Sequence, residues 1–260
     1  MEPVINDRAP GGKKTFLLMI LLTSALVALT IYGNTWKSDR RVAHIVVEGN
    51  RIVATKEIVA LADVPLHEPL FALDLFAIEQ RLLKQPYVRK VSVHRDLPDR
   101  IRITIEERQP VALLAQGTLL TLDAEGYVLP AVRSAAAFDL PVISVPVAAK
   151  ECVIGKQIRN ARVREALGIV SLAREVDEEM YRNISEVGGV GTDEFVLYTA
   201  EFGVPILLGR ERVGVKLLTL SAFWKTVVTR KGANALDSID LRFEDQVVVR
   251  WNHRGLDVHS

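Results

Sequence analysis

The sequence predicts an α+β protein: a single N-terminal transmembrane helix, then a small strand–helix–helix–strand–strand domain, then a β-rich domain with helices packed on a mostly antiparallel sheet. Three observations predict it. An uncharged stretch runs from Thr15 to Trp36. Between residues 42 and 106 the apolar period switches from two to helical and back to two. Beyond residue 110, short apolar pieces alternate with Gly and Pro punctuation, interrupted by two helical segments.

The first element is the anchor. Within 15–36, Phe16–Tyr32 has 14 of 17 apolar positions. Twenty-two helical residues at ~1.5 Å each cover ~33 Å, enough for a bilayer core of about 30 Å. Phe16, Leu17, Leu22, Leu26 and Ile31 supply the lipid-facing bulk, and Trp36 stands where an interfacial aromatic belongs. A cleaved signal peptide would need a small-x-small site after a shorter apolar core; Tyr32 and Trp36 suit such a site poorly. Arg8, Lys13 and Lys14 precede the span and Lys37, Arg40 and Arg41 follow it, so the positive-inside rule barely decides orientation. The usual solution for an N-terminal anchor is a short cytoplasmic tail, here residues 1–14, and exported domains. The near-zero charge balance argues against a nucleic-acid binder that relies on bulk positive charge. The net charge is +1, and the tail alone accounts for it, leaving 30 cations and 30 anions in the rest of the chain.

After the anchor, 42–48 is a strand closed by the Gly49-Asn50 turn. Thr55 is placed to cap a short helix over TKEIVALAD, and Asp74 to cap a second carrying Leu75, Ile78, Leu82 and Leu83, with Pro86 just past its end. Val91 and Val93, then Ile101, Ile103 and Ile105, alternate with polar residues across Leu97-Pro98-Asp99: a hairpin with one apolar and one wet face. This first domain spans 41–110. The second spans 111–252, with residues 253–260 as a tail. It predicts strands around the Asp123–Gly126 turn, a piece at 142–145, a helix over 161–176, a chain break at Gly188–Gly191, strands over 194–199 and 205–208, and a helix over 213–230. A closing hairpin pairs 238–243 with 246–251 and bends at Glu244-Asp245.

No catalytic constellation stands out. His44, His67, His94, His253 and His259 lack metal-ligand spacing, and EVGGVGT lacks the Lys-Ser/Thr of a phosphate loop. There is no G-x-S-x-G, and Cys152 has no His partner in sequence, so neither a cofactor nor a metal is expected. The charged residues Arg89, Lys90, Arg95, Arg100 and Arg102, beside Asp96, Asp99, Glu106 and Glu107, read as a mixed-sign solvated sheet face.

These residues resemble a known family. IVVEGN, TKEIVAL and the stretch LFALDLFAIEQRLLKQPYVRKVSVHRDLPDRIRITIEERQPVALL closely resemble FtsQ/DivIB, the bitopic division protein of bacteria. LDAEGYVLP and SIDLRFEDQVVVRW are similar to that family's later turn and closing strands. The resemblance is strongest over 42–114 and in the C-terminal hairpin, and weakest over 148–208. It implies that the first domain is a POTRA domain and that the protein is a non-enzymatic divisome scaffold in the inner membrane at the septum. It also implies binding to FtsB-like and FtsL-like single-span proteins through the second domain, and to other divisome proteins through the POTRA domain.

The candidate binding site follows from both readings. Val247, Val248 and Val249 form a strand without Pro at the end of the second domain, and an edge strand offers unpaired backbone groups to a partner. Arg242 and Arg250 are typical binding anchors. Phe243 and Trp251 resemble the aromatic positions flanking the family's partner-binding strand; as ordinary hairpin residues they would belong to the core. The second strand of the POTRA domain offers another edge. Two rival classes make different demands: a POTRA-containing envelope-assembly or secretion protein requires a downstream barrel of ~10-residue strands not seen here, and an anchored cell-wall enzyme requires a clustered nucleophile or metal set.

Overall fold

A computed structural model describes residues 12–38, 40–131, 139–191, 194–244 and 246–252. The chain divides into two compact units, one of residues 1–83 and 90–106, the other of 84–89 and 107–260. The tail residues 1–11 and 253–260, with His253 and His259, lie outside the described residues.

The first unit begins with α1, Gly12–Ser38, a 27-residue helix that holds every predicted anchor position from Phe16 to Trp36. Its 16–33 segment is long and apolar enough to cross a membrane, and none of its residues is buried. The polar side chains within it satisfy themselves: Thr23 Oγ1 donates to the Met19 carbonyl at 2.9 Å, Ser24 Oγ to Leu21 at 3.0 Å and Thr30 Oγ1 to Val27 at 2.7 Å. That is what hydrocarbon requires of a hydroxyl.

Next come β1 (His44–Glu48), α2 (Thr55–Ala62), α3 (Leu75–Leu82), β2 (Val88–Asp96) and β3 (Arg100–Glu107), the predicted order. The sheet runs β1-β3-β2, with β1 parallel to β3 in the register His44↔Arg100 to Glu48↔Thr104. Ile101, Ile103 and Ile105 are buried in alternation, and Ile58, Ile78 and Leu82 from the two helices complete that core. Asp74 caps α3 as predicted, accepting from the Ala77 N–H at 3.0 Å. Thr55 does not cap α2. Ala54 holds that position without a side-chain bond, and Thr55 is the first helical residue. Its hydroxyl instead accepts from Asn50 Nδ2 at 3.1 Å, so the Gly-Asn turn tethers the helix start. On the wet face Arg102 of β3 bridges Glu48 of β1 and Asp96 of β2. Lys90 and Glu106 add a second exposed pair to this mixed-sign face, and each such pair contributes only about 0–1 kcal/mol. Two residues expected on it are not there: Glu107 is 7% exposed, in step with Ile101, Ile103 and Ile105, and Arg95 donates to the Leu70 and Leu73 carbonyls at 2.9 and 2.7 Å.

The second unit is built on a nine-stranded sheet in the order β12-β11-β10-β9-β8-β7-β4-β5-β6. Its strands are β4 (Pro110–Gln116), β5 (Thr118–Asp123), β6 (Val128–Leu129), β7 (Val142–Ser144), β8 (Ile184–Val190), β9 (Glu194–Thr199), β10 (Pro205–Gly209), β11 (Leu236–Asp240) and β12 (Val248–Trp251). Three adjacent pairs, β4/β7, β7/β8 and β10/β11, are parallel, and the other five are antiparallel. Helix α4 (Ala161–Val176) has the predicted bounds and lays Val163, Ala166, Leu167, Val170 and Ala173 on the core. Helix α6 (Val213–Phe223) passes through a π-helical turn, Trp224–Val228, into α7 (Thr229–Lys231).

One expectation is overturned. Gly188 and Gly189 do not break the chain; they are interior residues of β8, paired with Val196 and Phe195 of β9. The reason is a close approach. Arg162 of α4 lies over β9, donating to the Glu194 carbonyl at 3.0 Å with its guanidinium 4.2 Å from the Phe195 ring centre. A Cβ on Gly189 would meet Arg162 Nη2 at 2.9 Å and Val145 Cγ1 at 3.2 Å. Glycine here is a packing choice rather than a turn signal.

α4 ends and α5 (Glu178–Arg182) begins at Asp177, whose side chain is 8% exposed. Its carboxylate accepts from the Glu179 and Met180 N–H groups at 3.0 and 3.3 Å, from Ser221 Oγ, and from Lys225 Nζ at 2.7 Å. Lys225 first, then Ser221 and the two amides, hold this carboxyl well below the usual carboxylate range. A depressed folded-state pKa gives stability that is present above the unfolded value of ~3.9 and drains as pH falls below it. Asp177→Ala is expected to cost about 2 kcal/mol at pH 7 through the lost cap and an unsatisfied Ser221, and its deficit should shrink towards pH 3. Hydrogen exchange of the α4 and α5 amides at the two pH values checks this locally; an equal deficit at both would reject the assignment.

Candidate partner-binding edge

Each end of the nine-stranded sheet could offer an open edge. The β6 end does not: Tyr127 bridges Gln157, the Val128 N–H donates to the Lys156 carbonyl at 3.0 Å, and Gly155 N–H to the Val128 carbonyl at 2.8 Å. The chain's own 155–158 segment seals it. At the other end, β12 pairs with β11 alone among the described residues.

The closing hairpin is shorter and differently bounded than predicted. The register runs Leu236↔Trp251, Ser238↔Arg250, Ile239↔Val249 and Asp240↔Val248, with a bulge at Asp237. β11 stops at Asp240, not at Phe243, for two local reasons. The Leu241 N–H turns to the Leu207 carbonyl of β10 at 2.9 Å. Asp240 Oδ1 accepts the Arg242 N–H at 3.0 Å, an Asx turn that ends the strand. Asp245 at the predicted bend lies outside the described residues, and Val247 sits just before β12, half-buried against the core.

Within β12 the side chains divide by face. Val249 and Trp251 pack partly on the core, and Val248 and Arg250 are exposed. Trp251 is therefore both a core and an edge residue, with Lys231 Nζ 4.6 Å from its ring centre. Asn252 donates its N–H to the Ala235 carbonyl of the β11 side at 2.7 Å. By the two-residue alternation of an antiparallel ladder, the N–H groups of Val249 and Trp251 then point to the open side.

Phe243 is not core: it is 54% exposed, and with Val215 and Thr219 of α6 it lines a shallow groove beside the edge. Arg242 is committed inside the unit. Its Nη2 lies 2.7 Å from Asp240 Oδ2 and its Nη1 3.2 Å from Glu194 Oε2. Arg250 is largely exposed, 3.9 Å from Asp237 Oδ2. Sequence reasoning missed the α6 contribution. Val215 and Leu218 are 47% and 58% exposed, and the signal was available: Val213–Phe223 carries more apolar residues than one buried face can use.

The open side of the three-stranded sheet is different. β2 ends its sheet, but its Val93 N–H donates to Glu79 Oε1 of α3 at 2.9 Å, so the middle of that edge is occupied by the domain itself. No group of three or more His, Cys, Asp or Glu among the described residues could hold a metal ion.

A helix long and apolar enough to cross a membrane, followed by a small strand–helix–helix–strand–strand domain and a β-rich domain, defines the class: a POTRA-containing protein with one membrane-length helix. Residues 40–108 match the family description "POTRA domain, FtsQ-type" and residues 109–249 "FtsQ/DivIB, C-terminal related". The chain is 32% identical over 248 residues to cell division protein FtsQ of Rhodothermus marinus, covering 92% of this chain and 89% of that protein. FtsQ of Syntrophotalea carbinolica is 29% identical over 210 residues, 81% and 73% of the two chains, and FtsQ of Salinibacter ruber 26% over 247 residues, 88% and 90%. The chain belongs to the FtsQ/DivIB family of cell-division proteins.

Proposed function

We propose that this protein is a non-enzymatic scaffold of the bacterial divisome. Its α1 helix anchors it in the inner membrane at the septum, with the tail cytoplasmic and both domains exported. It binds FtsB-like and FtsL-like single-span proteins through its C-terminal domain, and other divisome proteins through the POTRA domain. The open β12 edge is the observation that carries this reading, because it is the one end of the nine-stranded sheet that the described chain leaves unpaired. A partner strand added there would gain main-chain hydrogen bonds, and Phe243, Arg250 and Trp251 would supply side-chain specificity, with Val247, Val248 and Val249 providing the apolar ledge and Arg242 holding the turn. Anchoring in one membrane raises the effective concentration of such partners.

Trp251→Ala alone is a poor test, because Trp251 also packs on the core. Val249→Pro is sharper: it deletes a backbone donor on the open side and leaves the bonds to β11 intact. Val249→Ala trims the same side chain and keeps the donor. For the full chain in nanodiscs, Val249→Pro is expected to weaken capture of the exported segment of an FtsB-like protein at least about tenfold, or about 1.4 kcal/mol, while Val249→Ala stays within about threefold. Equal affinities for the two variants would refute strand addition.

A further inference from the structure

We propose that the C-terminal unit carries a second docking site, a basic recess at the opposite end of the sheet from β12, which takes an acidic segment of a partner protein. The recess lies between Tyr127, next to β6, and the loop leading to α4, and Lys150, Lys156 and Arg159 line it. All three are exposed, and none has a carboxylate at ion-pair distance among the described residues. Many cations elsewhere in this unit are paired: Arg89, Arg108, Arg162, Arg174, Arg182 and Arg242 each have an acidic partner. Glu151 is the single carboxylate in the lining, so the recess carries an excess of two positive charges.

The backbone presenting these charges is fixed. Beyond the two Val128 bonds that seal β6, the Ile158 N–H donates to the Gly126 carbonyl at 2.9 Å and Gln157 Nε2 to the Glu125 carbonyl at 2.6 Å. A ligand therefore orders side chains and little else, which keeps the entropic cost of binding low. The floor is fixed too, since the Arg108 guanidinium stacks 3.5 Å from the centre of the Tyr127 ring. At the rim Val153 is 43% exposed, and the residue after it, Ile154, is 52% exposed. Charge complementarity calls for closely spaced carboxylates, and the aliphatic rim for an apolar residue between them. Because the 155–158 segment already occupies the β6 edge, recognition here runs through side chains, not strand addition. A concave recess admits a peptide chain, whereas a flat anionic bilayer would meet only its rim.

The test uses the full chain in nanodiscs of zwitterionic phosphatidylcholine and a fluorescein-labelled Asp-Glu-Leu-Asp-Glu peptide, read by anisotropy. Wild type should bind, and K150E/K156E/R159E should lose at least about tenfold in affinity. Raising salt from about 50 to about 300 mM should weaken wild type and leave the residual binding of the variant unchanged. The milder K156Q/R159Q, with an unaltered thermal transition, should fall between them. Val249→Pro should bind this peptide as wild type does, which separates this site from the β12 edge. Undiminished binding by the triple variant would overturn the proposal. So would capture of phosphatidylglycerol vesicles, but not the peptide, through the same three residues.

Discussion

Replacing Arg108 with Ala is expected to destabilise the C-terminal unit by about 3–5 kcal/mol, the range for removing one partner of a buried ion pair. The Arg108 side chain is 10% exposed and lies 2.7 Å from Asp123 Oδ2, itself 5% exposed. Its Nη1 also reaches Glu125 Oε2 at 3.0 Å, and its plane covers Tyr127. Burial works against the guanidinium's charge, but the bonds it donates to Asp123 and Glu125 outweigh it and its pKa is raised. Without Arg108 the Asp123 carboxylate keeps its bonds from the Glu125 and Tyr127 N–H groups at 3.0 and 2.8 Å but loses the one cation paired with it among the described residues. Arg108→Lys should recover part of the loss: it keeps the charge but not the planar fork or the stacking. Hydrogen exchange of the β4 and β5 amides reads the effect locally, which matters in a chain of two units where a single global midpoint is ill defined. A loss below about 1 kcal/mol would mean that solvent, not Arg108, neutralises Asp123.

That ion pair also marks how far the sequence was legible. Glu-Arg-Gln-Pro and Asp-Ala-Glu-Gly each stood out as motifs, yet nothing in their spacing says that Arg108 of one meets Asp123 of the other. The readable features were local and periodic: Ile101, Ile103 and Ile105 alternating, Asp74 before a helical apolar spacing, the uncharged run over α1, and the exact bounds of α4. The failures were non-local. Gly188 and Gly189 looked like a break because glycine weakens a strand in isolation; Arg162, arriving from α4, supplies the reason they lie inside one. β11 ended three residues early because Leu241 bonds to β10, a strand more than thirty residues away. For the candidate edge, the residues of β12 were legible from their composition. Its standing as an open end was not, because that depends on the order of nine strands and on a loop sealing β6.

Gly49→Ala should do to the POTRA unit what Arg108→Ala does to the other, and the pair of variants separates the two units' roles. Gly49 follows β1 with φ +87°, and a Cβ built there would lie 2.0 Å from the Ile105 carbonyl oxygen of β3. Neither partner is a flexible side chain, so the turn or the strand must move. The left-handed backbone costs an alanine about 1–2 kcal/mol, and displacing packed backbone adds about 1–3 kcal/mol. Together these approach the whole stability of a small domain, about 5 kcal/mol at the low end. Loss of exchange protection in β1 and β3, with β8 and β9 unchanged, is the expected result; protection retained in β3 would show that the turn relaxes at little cost. If the POTRA unit recruits other division proteins while β12 holds the FtsB-like partner, a fluorescent fusion carrying Gly49→Ala should lose its septal band yet still co-purify with that partner. Loss of both would mean that the C-terminal edge depends on an intact POTRA unit, and the division of labour proposed for the two domains would fail.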